Sequence, residues 1–147
     1  MNTSQIDRIL RSNLGDLFLG VFSKDTLPSS LPRRKPLVLV CNTDIKSRPG
    51  LHWIAIFIDG NTGEYFDSFG RKPEKEFERF MNKHCADWTF NSRQLQSLVS
   101  YFCGHYCIFY CLYKCIGYDL NSILRCFTNN DTGINDWLVH SFVCHVI

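Results

Sequence analysis

"SYFCGHYCIFYCLYKCIGY", residues 100–118, sets a cysteine at every fourth position of an apolar and aromatic run: Cys103, Cys107, Cys111 and Cys115. The pattern predicts a helix from about Gly104 to the stop at Gly117, roughly 20 Å long. Its length falls short of the ~20 apolar residues of a membrane span, and it carries Lys114, His105 and Gly104, so it reads as a buried core helix. Each step of four residues turns ~40° beyond a full turn, and the sulfur stripe drifts by ~120° along the helix. Four sulfurs so arranged cannot meet at one metal. A pair such as Cys107 and Cys111 is half a zinc site, with His84-Cys85 or Cys144-His145 as the other half, yet the closed loops typical of zinc ribbons are missing. The plainer reading makes Cys107, Cys111 and Cys115 small buried hydrophobes among Ile108, Phe109, Leu112 and Ile116.

Cys103 stands apart. It opens the helix, where unpaired N–H groups and the positive end of the dipole stabilise a thiolate and lower a thiol pKa from its free value of ~8.5. Gly104 beside it has no side chain to block the sulfur.

At 147 residues the chain is sized for one domain, 1–147. It is 45% hydrophobic and 20% charged, with twelve Phe, which excludes a disordered chain. A net charge of +2 is too small to mark a nucleic-acid binder, and Pro32-Arg33-Arg34-Lys35-Pro36 reads as a solvated basic loop. Asp7 and Arg8 stand where a signal peptide needs an apolar run, so the expected location is inside a cell, where eight cysteines remain free thiols, ligands or a nucleophile.

The remaining elements follow from periodicity. Thr3 or Ser4 caps a first helix with Ile6, Ile9, Leu10 and Leu14 on one stripe and Gly15 or Gly20 as its stop. Residues 21–36 read as an irregular connection, and Leu37–Cys41 as a strand buried on both faces. "HWIAIFI" (52–58) and "EYFDSFG" (64–70), joined by Asp59-Gly60-Asn61-Thr62-Gly63, predict a β-hairpin. Pro73 opens a second helix with Phe77, Phe80, Met81 and His84 inward. Residues 87–96 read as a strand, and Asn135-Asp136 as the cap of a final helix.

A nucleophilic thiol needs a base. His105 is two residues from Cys103 and points away from it on a helix. His84 lies on a buried stripe, and His140 and His145 fall near the end of the sequence. His52 begins a strand after the Pro49-Gly50 turn and is paired across the hairpin with the strand that ends in Asp67. Adjacent antiparallel strands can hold an imidazole and a carboxylate within hydrogen-bond reach, which fixes the tautomer and raises basicity. On spacing, Cys103, His52 and Asp67 form a candidate triad, against the structural reading of a core histidine.

"GLHWIAIFI", "YFDSFG" and "LQSLVSYFCGHYC", in that order, resemble motifs of the adenains, the adenovirus-type cysteine proteases. More broadly they resemble the ubiquitin-like-protein proteases of the same clan. The likeness is nearest to the adenain-like proteases of adintoviruses and Maverick or Polinton elements and extends over nearly the whole chain. It implies an α+β, papain-like or adenain-like fold, with a mixed central sheet flanked by helices and the nucleophile at the N-terminus of a buried core helix.

Residue by residue, the resemblance makes His52 the general base, Asp67 the carboxylate orienting it and Cys103 the nucleophile. Gln96, with Gln94 as the competing neighbour, supplies an oxyanion-hole side chain beside the Cys103 N–H. Trp53 and Gly104 become substrate-cleft candidates, a core role for Trp53 being equally open. The Gln96-to-Cys103 spacing is that of adenains. Three features depart from the family: the linker 97–102 lacks Gly-Pro or Asn-Gly, the acid is Asp where adenoviral members tend to have Glu, and the C-terminus is shorter.

The implied activity is endopeptidase cleavage of viral or transposon structural precursors near glycine, inside a host cell or a virion. The alternatives are a deubiquitinating or deSUMOylating protease and a non-catalytic zinc-binding or interaction domain. No prosthetic group is implied and no metal site is assigned. An activating peptide or DNA is known from adenoviral relatives, and the small net charge gives DNA no support here. The partners expected are polypeptide substrates, with no membrane.

Overall fold

A computed structural model describes residues 1–33 and 36–147, so the basic loop read at Pro32–Pro36 lies partly outside the described residues, at Arg34 and Lys35. Helix α1 (Thr3–Leu14) leads through a short 3-10 turn to β1 (Phe18–Ser23) and then β2 (Leu37–Asn42). The hairpin follows as β3 (Trp53–Asp59) and β4 (Thr62–Phe66), then α2 (Lys75–His84) and β5 (Asp87–Phe90). Three helices close the chain: α3 (Cys103–Cys115), α4 (Leu120–Leu124) and α5 (Thr132–Val146).

The strands lie side by side in sequence order, β1-β2-β3-β4-β5. The outer pairs are parallel and the two inner pairs antiparallel, which makes the sheet mixed. Side chains alternate across a strand, so β2 sends Val38 and Val40 to one core and Leu37, Leu39 and Cys41 to the other. The first core is filled by α1, α3 and α5 through Ile6, Leu10, Tyr106, Phe109 and Val139, and the second by α2 through Phe77, Phe80 and Met81. The α+β expectation, with helices on both faces of a mixed sheet and α3 inside, is what the chain adopts.

Several boundaries differ from the sequence reading, each for a local reason. The first helix is capped by Asn2, not Thr3 or Ser4, because Asn2 and Gln5 exchange side-chain bonds in a capping box. Its stop is Gly15, while Gly20 lies inside β1 at an irregularity in the β1–β2 register, with φ of 147°. Residues 21–36 read as irregular from their prolines, serines and aspartates, but β1 runs on to Ser23 by pairing with β2. Pro73 lies outside α2, which has Glu74 at its cap position. The strand expected over 87–96 ends at Phe90. Asp131 caps α5 through Gly133 N and Ile134 N, leaving Asn135 and Asp136 buried within the helix. Among the described residues no helix is long and apolar enough to cross a membrane.

Candidate active site

Three elements converge at one end of the sheet. Cys103 is the first residue of α3, His52 immediately precedes β3, and Asp67 immediately follows β4. Pairing of Ala55 with Phe66 fixes the hairpin register, which carried on past the strand ends sets His52 opposite Phe69 and leaves Asp67 diagonal to it, within reach of its ring. His52 Nε2 lies 2.6 Å from Asp67 Oδ1, with both side chains buried. The imidazole is also stacked on Phe69, centroids 4.5 Å apart and planes at 22°, which removes its freedom to rotate. With Nε2 committed to Asp67, Nδ1 is the ring nitrogen left for Cys103, to which His52 is hydrogen-bonded.

The electrostatics favour an ion pair. Burial pushes the Cys103 thiol up, but the hydrogen bond and charge of His52, with backbone N–H groups of Trp53 and Gly104, outweigh it and bring the net value below the ordinary one. Burial lowers His52, whereas Asp67 and Cys103 raise it, and the balance stands at about 9. Thiolate and imidazolium each stabilise the other, so these values belong to the pair. His105 is a different case: burial, the N-terminal ammonium and His140 take it down to about 4. Its ring packs on Phe102 and His140.

Asp67 is held on all sides. Its Oδ1 also accepts the Phe69 N–H at 2.9 Å. Asn91 clamps the backbone of Asp67, accepting from its N–H (2.9 Å) and donating to its carbonyl (2.7 Å). Gly70 closes the turn by donating to Asp67 O, with φ of 68°. A Cβ there would stand 2.6 Å from the Arg93 carbonyl carbon, so this position needs glycine twice over, for conformation and for space.

The same turn carries the 91–102 segment. Ser68 O accepts the N–H groups of both Leu95 and Gln96. Gln96 borders the cleft and is fully shielded, with Nε2 donating to Ser100 O (3.0 Å) and Oγ (3.1 Å). Gln94 is exposed, and its amide donates to Gln96 O instead of lining the cleft. From the other side, Arg93 donates to the Leu124 and Phe127 carbonyls and Asn135 to the Leu95 carbonyl. Asp136 accepts from Tyr106 Oη and, more weakly, from Ser97 N. The pair expected to cap α5 therefore clamps the site's loop.

The cleft encloses about 860 Å³, and its lining includes His52, Trp53, Phe69, Gln96, Tyr101 and Cys103. Trp53 serves both readings, since it lines the cleft and packs in the core, with its Nε1 donating to Met1 O. Gly104 does not line the cleft. Its missing side chain makes room for Met1, Ile6 and Trp53, atoms that a Cβ would meet at 3.1–3.4 Å, so its use is close packing of α1 on α3. Cys107 and Cys111 are buried as expected, whereas Cys115 is only half-buried. Among the described residues no group of three or more His, Cys, Asp or Glu is placed to hold a metal ion.

Sequence reasoning missed Ser68, Asn91 and Arg93. Asn91, directly after the short strand 87–90, carried a signal, since Asn favours turns that bond nearby backbone. The other two carried none, because their partners are set by tertiary structure.

No family model matches the chain. A protein of Acanthamoeba polyphaga mimivirus described as a thiol protease is 39% identical over 49 residues, 32% of this chain and 16% of that protein. A crystal structure of the ASFV protease aligns with a TM-score of 0.64 and 19% identity over 95% of this chain and 66% of that one. Its selenomethionine form aligns with a TM-score of 0.52 and 24% identity over 72% and 44%. The chain thus spans only part of each relative's length. What the alignments establish is the architecture, which this chain shares with the ASFV protease.

Proposed function

We propose that the chain is a cysteine endopeptidase acting through Cys103, His52 and Asp67. The observation that carries the reading is the 2.6 Å His52–Asp67 bond aimed at a thiol whose pKa is lowered at the head of α3. In the proposed reaction the Cys103 thiolate attacks the scissile carbonyl carbon, and the carbonyl oxygen takes the negative charge. The Cys103 N–H and the Gln96 amide bind that oxyanion. The His52 imidazolium then gives its proton to the departing amine, leaving an acyl-enzyme thioester. Neutral His52 takes a proton from water, whose oxygen attacks the thioester carbonyl; the C–S bond breaks, the carboxylic acid product leaves, and the Cys103 thiolate and His52 imidazolium are restored. Asp67 keeps the ring oriented and stabilises its charged form throughout.

The substrates we assign are precursor polypeptides of a virus or transposon, cut near glycine. Support comes from the likeness to proteases of viral origin and from the adenain-type motifs. All eight cysteines are free, which suits a reducing host interior or a particle assembled there. No activating peptide or DNA enters the proposed steps.

The test is alkylation of purified protein with peptide mapping, alongside cleavage of Gly-X peptides. The reading expects fast, selective modification of Cys103 that is lost in His52→Ala, and hydrolysis that depends on Cys103. Equal slow labelling of several cysteines overturns it. Faster labelling by a ubiquitin-type C-terminal probe than by Gly-X peptides moves the substrate to ubiquitin-like proteins.

A further inference from the structure

Ser68 follows the candidate acid directly, yet its side chain turns away from the triad. Its Oγ lies 2.6 Å from Gln96 Oε1, and both residues are buried. The direction of this bond follows from the far end of the amide. Ser100 O is a carbonyl and can only accept, so the Gln96 nitrogen must face Ser100 and the oxygen must face Ser68. The Ser68 hydroxyl is thereby the donor. A reversed amide would set two acceptors against each other at Ser100 and present Oε1 to the charge that forms at the substrate carbonyl.

We propose that Ser68 is a positioning residue for the oxyanion hole, fixing the Gln96 amide so that its nitrogen faces the developing oxyanion. The inference rests on the protease reading above. The Ser68 main chain adds to the effect, since its carbonyl holds the Leu95 and Gln96 N–H groups and so fixes the amide's backbone as well as its tip. Ser100 O retains one side of the amide nitrogen, and Ser100 Oγ, at 3.1 Å, is the contact an oxyanion replaces. Amide and imidazole are therefore set by two adjacent residues of one turn, Asp67 acting on His52 and Ser68 on Gln96.

The test compares steady-state cleavage of a Gly-X peptide with alkylation of Cys103 by iodoacetamide, a displacement at carbon that forms no oxyanion. Removing an oxyanion donor costs about a hundredfold in kcat, so Gln96→Ala should lose that much. Ser68→Ala should lose about tenfold, as a part of the same effect. Both variants should keep KM within about twofold and alkylate like wild type, because only transition-state binding is removed. Ser68→Thr, which retains the hydroxyl, should recover kcat. In the double variant Ser68→Ala/Gln96→Ala, kcat should equal that of Gln96→Ala alone, since residues acting through one another are not additive.

The proposal is overturned if Ser68→Ala leaves kcat unchanged, if its loss adds in full to that of Gln96→Ala, or if alkylation falls in parallel with cleavage. A wild type without Cys103-dependent cleavage fails the protease reading itself. An active wild type indifferent to Ser68→Ala fails only this inference.

Discussion

Cys103 and Cys107 are one turn apart on the same helix, and their thiols are pushed in opposite directions. Burial sends Cys107 well above its ordinary value, as it does Cys111, while Cys103, less deeply buried, falls because an imidazole partner and backbone donors outweigh its burial. The helix dipole cannot separate them alone, since its influence fades within the first turn and is worth only ~0.3–1 kcal/mol at exposed sites. What separates them is the β3–β4 hairpin, which brings His52 to one sulfur, whereas the groups acting on the other, neighbouring thiols and Asp67, all raise it further.

The comparison is broken most severely at the sulfur itself. Cys103→Ala should abolish peptide hydrolysis, a loss on the order of 10⁴-fold or more, while Cys107→Ala should leave hydrolysis intact in any protein that folds; a fluorogenic peptide assay separates the two. Next comes the partner. His52→Ala should slow iodoacetamide alkylation of Cys103 near neutral pH by about a hundredfold, because burial, the largest influence on this thiol, is then opposed by backbone donors alone. In wild type the ion pair should exist above the lowered pKa of Cys103 and below about 9, the value for His52, so the pH–alkylation profile should extend below the ordinary thiol range.

Asp67→Asn should have a smaller effect, a loss of about 10–100-fold in kcat/KM, and should lower the upper edge of that window because Asp67 raises His52. Its sign in stability is fixed by the same shift. A histidine raised from 6.5 contributes fully below that value and loses its contribution as pH rises through about 9. The stability gap between wild type and Asp67→Asn in urea melts should therefore be widest near pH 6 and narrow above pH 9. Cys111→Ser should be the mildest for activity, with kcat unchanged and about 1–3 kcal/mol of stability lost by burying a hydroxyl in place of a thiol.

The parts of this molecule written locally were legible in its sequence. Alternation in 52–58 marked the hairpin that pairs His52 with Asp67, and the apolar run after Cys103 marked α3. Gln96 was reached by resemblance alone, and the shared cleft with Cys103 is a matter of tertiary packing. Gly104 was misread because a glycine beside a reactive sulfur looks like clearance for substrate, whereas its neighbour across the gap is α1, more than ninety positions away in the chain. Asn135 and Asp136 were misread as caps for a similar reason: their composition suits a helix start, and the backbone and Tyr106 oxygen they bond cannot be seen from the surrounding letters.

Helix α3 is tied to the hairpin at both ends. At its head His52 meets Cys103; at its tail buried Lys114 lies 3.0 Å from Glu64 on β4, whose other oxygen accepts from Tyr110 Oη. The helix therefore behaves as a beam resting on two supports of one wall. Its pitch, and with it the sulfur's coordinates, is referenced to β3–β4 at its two ends and to α5 in between, where Tyr106 meets Asp136. An insertion in the exposed turn at residues 116–118 consequently leaves both supports in place, whereas one nearer Leu124 or Phe127 would disturb the carbonyls that hold Arg93.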